Sequence, residues 1–156
     1  MKKTTGLISL FSLVLFLGLA LGGCDKDNDS NNDDIYNISA TMSGAQEVPA
    51  VTTAGTGSVT GTYNATTNSL QYNASWSGLS GTATVGHFHG PALAGAIAGP
   101  IIHFNLVNSN NSGTAAATVT LTEAQEADLL AGKLYANIHT VANGGGEIRG
   151  QVTAAK

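Results

Sequence analysis

Alternation of apolar and polar residues constrains this chain more than any other feature. In IYNISATM, Tyr36, Ile38, Ala40 and Met42 share one face; in LQYNASW the set is Leu70, Tyr72, Ala74 and Trp76; in TAAATVTL it is Ala115, Ala117, Val119 and Leu121. Successive side chains of a strand point to opposite faces of a sheet. A period of two sustained over six or more residues therefore predicts half-buried strands. NATTNS, between Tyr63 and Leu70, has hairpin-loop composition. Further strands are expected at Gly57–Asn64, Thr82–Phe88, Ile101–Leu106, Leu134–His139 and Glu147–Thr153.

One segment departs from this period. In LTEAQEADLLAGK, Thr122 is followed three residues later by Gln125, the pattern of a capping box, and Gly132-Lys133 supplies a stop. The spacing predicts one short helix, Thr122 to Ala131. About eight strands with a single helix give an all-β fold, a Greek-key-like β-sandwich or barrel.

The first 23 residues have a different character. Lys2 and Lys3 precede the apolar run LISLFSLVLFLGLALGG, the pattern of a secretory signal and too short for a convincing membrane span. The run ends in LGGC, which resembles the bacterial lipoprotein signal. That resemblance implies a lipid anchor on Cys24, which becomes the new N-terminus. A plain cleaved signal that leaves a free thiol is the alternative. Cys24 is the single cysteine, so neither an intrachain disulfide nor a cysteine-based zinc site can form.

DKDNDSNNDD, Asp25 to Asp34, carries five acids, one base and no apolar residue. It reads as a solvated tether, residues 24–34, that lets a domain ride on the order of 15–20 Å from a membrane. Lys26-Asp27 after the lipidated position resembles the surface-export signal of Bacteroidetes-type lipoproteins; a spacer without an address is the blander reading. The expected location is the bacterial cell envelope, lipid-anchored at the outer membrane or cell surface.

Residues 35–156 form the domain proper. They hold five acids (Glu47, Glu123, Glu126, Asp128, Glu147) and three bases (Lys133, Arg149, Lys156). Without a basic patch, no nucleic-acid partner is expected. No Ser/His/Asp set, paired carboxylates or phosphate loop is present.

SGAQEVPAV, GHFHGPA, LTEAQEADLLAGKLYANIHT and GGEIRGQV occur in this order, and together they resemble the CHRD domain from about Ile38 to Val152. That family is named after chordin and is widespread in bacteria. The resemblance implies an extracellular β-rich module and no agreed activity. Two residues depart from the family pattern. Gly144 stands where proline is common, which should loosen the loop Val141–Gly146, and His103 is not a usual feature.

The four histidines are His87, His89, His103 and His139. Phe88 lies between the first two, His103 lies between Ile102 and Phe104, and His139 follows Ile138. If these apolar neighbours face the core, all four histidines face away from it. His87 and His89, about 6.5–7 Å apart on one strand face, could converge on an ion with His139 from a neighbouring strand. His103 is a candidate fourth. The order His-x-His, GPIIHFN, His139 and NGGGEIRG also resembles, more weakly, the copper/zinc superoxide dismutases. The dismutase disulfide and a full zinc-ligand set are lacking, so the implied site is mononuclear, three imidazoles holding copper or zinc. If such a site were catalytic, it would act as a copper-dependent dismutase-like oxidoreductase, with Arg149 guiding the anion. A net acidic surface opposes that, so binding is favoured over catalysis. The plainer alternative leaves the histidines as hydrogen-bonded surface residues, with Arg149 paired to Glu147. The domain would then be a structural or adhesive module binding protein or glycan.

Overall fold

The computed structural model describes residues 34–156. Cys24, the signal segment 1–23 and the tether up to residue 33 lie outside the described residues. Ten strands follow in order: β1 (Ile35–Ser43), β2 (Thr56–Asn64), β3 (Ser69–Ser77), β4 (Ala83–His89), β5 (Pro100–His103), β6 (Leu106–Val107), β7 (Gly113–Thr120), β8 (Tyr135–Thr140), β9 (Ile148–Gln151) and β10 (Thr153–Ala155). The helix α1 (Glu123–Leu130) sits between β7 and β8. All ten strands belong to one antiparallel sheet of order β5-β4-β8-β9-β1-β2-β3-β7-β6, with β10 also paired to β1. The sheet curls into a half-barrel, so the all-β expectation with one short helix holds. Among the described residues no helix is long and apolar enough to cross a membrane.

The alternating residues supply the core. Ile38, Ala40 and Met42 of β1, Leu70, Tyr72, Ala74 and Trp76 of β3, and Ile138 of β8 are all buried. Tyr72 of β3 meets Phe88 of β4 edge-on at 5.0 Å, and Phe104 lies 5.1 Å from Tyr72 and 4.9 Å from Phe88. Because β3 and β4 are far apart in the sheet order, this aromatic cluster is the packing that holds the curl shut.

Two expected strands are each divided. Ile101–Leu106 breaks at Phe104 and Asn105: β5 pairs with β4, and β6 pairs with β7. The Phe104 ring turns into the core and its N–H bonds the Gly86 carbonyl at 2.8 Å. The chain thus steps from one edge of the sheet to the other, and two residues join the edges. Glu147–Thr153 breaks at Val152, whose N–H reaches the Leu134 carbonyl at 2.8 Å before β10 returns to β1.

The helix ends match their signals. Thr122 accepts from Gln125 N at 3.3 Å, and the Gln125 side chain accepts from Thr122 N at 2.9 Å. At the other end, Lys133 N bonds Asp128 O and Gly132 N bonds Leu129 O, with Gly132 at φ +66. These two bonds satisfy the last carbonyls in a Schellman arrangement.

Candidate metal centre

Strand register brings the histidines together. On β4 and β8, His87 lies opposite Asn137, His89 opposite Tyr135, and Val85 opposite His139. His87 also lies opposite His103 of β5, and Asn137 opposite Arg149 of β9. A single row, His103–His87–Asn137–Arg149, therefore crosses four strands on the face turned away from Phe88 and Ile138.

Over β4, β8 and β9 that face is closed to solvent. His87, His89 and His139 are only 8%, 7% and 8% exposed, and every residue of β8 is buried. Connections return over the sheet and cover it. The 90–99 connection places the Ala98 carbonyl 2.9 Å from His89 Nδ1, and the 141–147 connection places the Gly144 carbonyl 3.0 Å from His139 Nδ1. Tyr135 stacks on His89, with centroids 4.7 Å apart, and its hydroxyl bonds Ala98. The outward direction expected of these histidines is correct, but solvent exposure does not follow from it, because loops close the face.

A carbonyl can only accept. His89 and His139 must therefore carry their protons on Nδ1 and turn Nε2 lone pairs inward. His87 Nδ1 lies 3.2 Å from His139 Nε2. One ligand nitrogen from each of the three rings falls within 4.8 Å of the others. Tetrahedral coordination with 2.0–2.1 Å bonds places ligand atoms about 3.3 Å apart, so the widest pair must close by up to about 1.5 Å. Burial, reinforced by His139, His89 and His103, pushes the His87 pKa down to about 4 from the ordinary 6.5. Burial also lowers His89 and His139, opposed by the carbonyls they bond. All three rings are neutral at pH 7, the state that ligates.

The structure distributes the other expected residues differently. His103 is exposed; its ring packs edge-on against His87 at 4.6 Å, outside the set of three. Arg149 is 2% exposed, with its guanidinium 3.5 Å over the Tyr135 ring. Its acidic neighbour is Glu47, not Glu147, and burial raises the Glu47 pKa against the pull of Arg149 and of the Asn137 amide. Glu147 instead accepts from Thr53, Ser80, Thr140 and Asn143. The pairing of Arg149 with Glu147 considered from sequence is thus replaced: Glu147 precedes β9 and turns into a ring of hydroxyls.

Asn137, Glu47 and Tyr135 were not singled out by the sequence reading. Asn137 Oδ1 is 3.0 Å from both His89 Nε2 and His139 Nε2. Its signal was available, since Asn137 and His139 share a face of one strand, but asparagine on a strand has no distinctive spacing. Gly146 makes room behind it: a Cβ there would collide with Glu47 Oε1 and come within 2.7 Å of Asn137 Nδ2.

Neither the curated proteins nor the solved structures include one that matches this chain. The profile of the CHRD domain matches residues 38–152, from β1 to the residue before β10. That span includes all three clustered histidines and most of the chain. The chain belongs to the CHRD domain family.

Proposed function

We propose that this chain is a lipid-anchored CHRD module of the bacterial envelope that binds one copper or zinc ion through His87, His89 and His139. The observation that carries the reading is the set of three inward nitrogens within 4.8 Å, two of them fixed as neutral tautomers by backbone carbonyls. Such outer hydrogen bonds orient ligating imidazoles and raise their basicity. The donor set suits copper or zinc, and the role is to store, buffer or deliver the ion. Copper redox chemistry is the catalytic extension of this reading. The anchor rests on the LGGC stretch and on Cys24 as the single cysteine.

Titration calorimetry of the full chain in a Cys24→Ser background, which removes the one thiol, tests the reading. One equivalent of copper or zinc should bind. Loss of a ligand should exceed the roughly 10–100-fold cost of losing an outer-shell partner, so His89→Ala should weaken binding by more than about 100-fold. Equal affinities for the two proteins would contradict it.

A second reading has its own support. Thr41, Ser58, Ser75 and Thr114 form one cross-strand row and line an open groove of about 750 Å3 that contains no charged residue. Such a surface suits a neutral polar partner such as a glycan. Binding that persists in chelator would favour an adhesive role.

A further inference from the structure

We infer that Asn137 is the fourth ligand of the three-histidine site, closing it through Oδ1. This deepens the metal-binding reading and rests on it. Asn137 is 2% exposed, and its Oδ1 is 3.0 Å from His89 Nε2 and 3.0 Å from His139 Nε2. His89 uses its only proton on the Ala98 carbonyl, and His139 uses its own on the Gly144 carbonyl. Without a metal, His87 Nδ1–H at 3.2 Å donates to His139 Nε2, which leaves the Asn137 oxygen and the His89 Nε2 lone pair, 3.0 Å apart, with no hydrogen between them. Two acceptors facing each other in a buried site repel unless a positive centre is shared between them.

Turning the amide over would relieve that repulsion and create another. Asn137 Nδ2 faces the Glu47 carboxyl beside Gly146; burial raises the pKa of that carboxyl, and Arg149 and the Asn137 amide oppose the rise. The reversed amide would put its oxygen against that carboxylate. Glu47 thus fixes which end of Asn137 meets the histidines.

Three of the six edges fit a shared ion as they stand, and the widest nitrogen pair, at up to 4.8 Å, closes on binding. His87 Nδ1 to His139 Nε2 is 3.2 Å, and Asn137 Oδ1 to each Nε2 is 3.0 Å. These lie close to the edges of a tetrahedron with bonds of about 2.0–2.1 Å, near 3.3 Å. An ion held by three imidazoles and an amide oxygen has no open position. Closure of this kind belongs to a site that holds or hands on its metal, whereas a catalytic site keeps a place for water or substrate.

Cobalt(II) is the probe, because its visible bands report coordination number and donor type. In the Cys24→Ser background the chain should bind one cobalt with the intense absorption of a tetrahedral site. Asn137→Ala should lower cobalt affinity at least tenfold and weaken the band as water enters the shell. Asn137→Asp, nearly isosteric, keeps an oxygen donor; it should retain the band intensity and shift its energy. An Ala variant with unchanged affinity and spectrum, or an Asp variant with unchanged band energy, overturns the inference and leaves the three-histidine site standing. Absence of cobalt, copper and zinc binding by the parent chain removes the site and this inference together.

Discussion

At the scale of single residues, Glu147 shows how much one buried carboxylate can organise. It is 0% exposed and accepts from Thr53 Oγ1 at 2.6 Å, Ser80 N at 2.7 Å, Ser80 Oγ at 2.6 Å and Thr140 Oγ1 at 2.6 Å. Burial alone would raise its pKa, but the hydrogen bonds from Ser80, Thr140 and Thr53 outweigh burial and bring it to about 2, against an ordinary 4.5. A depressed carboxylate stabilises the fold fully above its unfolded pKa. That contribution should be lost as pH falls from 4.5 toward 2. Glu147→Gln sets an amide donor against hydroxyl donors and should cost about 3 kcal/mol at pH 7. Urea unfolding at several pH values checks both: the parent should lose stability across that window, and the variant should be flatter there. A variant as stable as the parent at pH 7 would contradict this account. The sequence placed Glu147 beside Arg149 by parity, which cannot reveal a carboxylate bonded to three separate loops. The histidines were more legible, because each stands next to a core residue and so has its direction fixed. Their burial was not legible, since it depends on where the connections return.

Among the elements, the strands with clean alternation matched best. β1, β3 and β7 cover the stretches read from the period of two, β2 covers the expected strand Gly57–Asn64, and the capped helix lies between Thr122 and Ala131. The misread elements were two strands read straight through a break, at Phe104-Asn105 and at Val152. Nothing in IIHFNL marks Phe104 as the point where the chain leaves one sheet edge for the other, because its core position is set by Tyr72 and Phe88, remote in sequence. The 141–147 connection is similar. The family pattern places proline at Gly144, but here the important atom is the Gly144 carbonyl, which any residue carries. Gly146 is different, because its φ of +128 and the crowding by Glu47 and Asn137 both demand glycine. Gly146→Ala should therefore cost more than about 2 kcal/mol and weaken metal binding by displacing Asn137. Thermal unfolding with and without zinc checks this. A variant with parental melting temperature and zinc-induced shift would contradict the claimed packing.

For the whole molecule, the half-barrel separates two surfaces. The apolar face builds the core, while at β4, β8 and β9 the opposite face is roofed by loops and carries the histidine row. A third connection at that face, between β1 and β2, brings in Glu47. A site built on paired strands and clamped by carbonyls is held by the fold as a unit. Cys24→Ser should move the protein from the membrane fraction to the soluble envelope fraction; unchanged membrane association and processing would contradict the anchor.

The central claim is that His87, His89 and His139 share one metal ion. X-ray absorption at the zinc edge of the loaded chain, in the Cys24→Ser background, tests it most directly, because imidazole rings give outer-shell scattering that counts them. The account predicts one zinc per chain with first-shell nitrogen and oxygen at about 2.0–2.1 Å and three imidazoles. It also predicts loss of one imidazole in any of the three single histidine-to-alanine variants that still binds. A spectrum with fewer than two imidazoles in the parent, or one unchanged by all three substitutions, would contradict it.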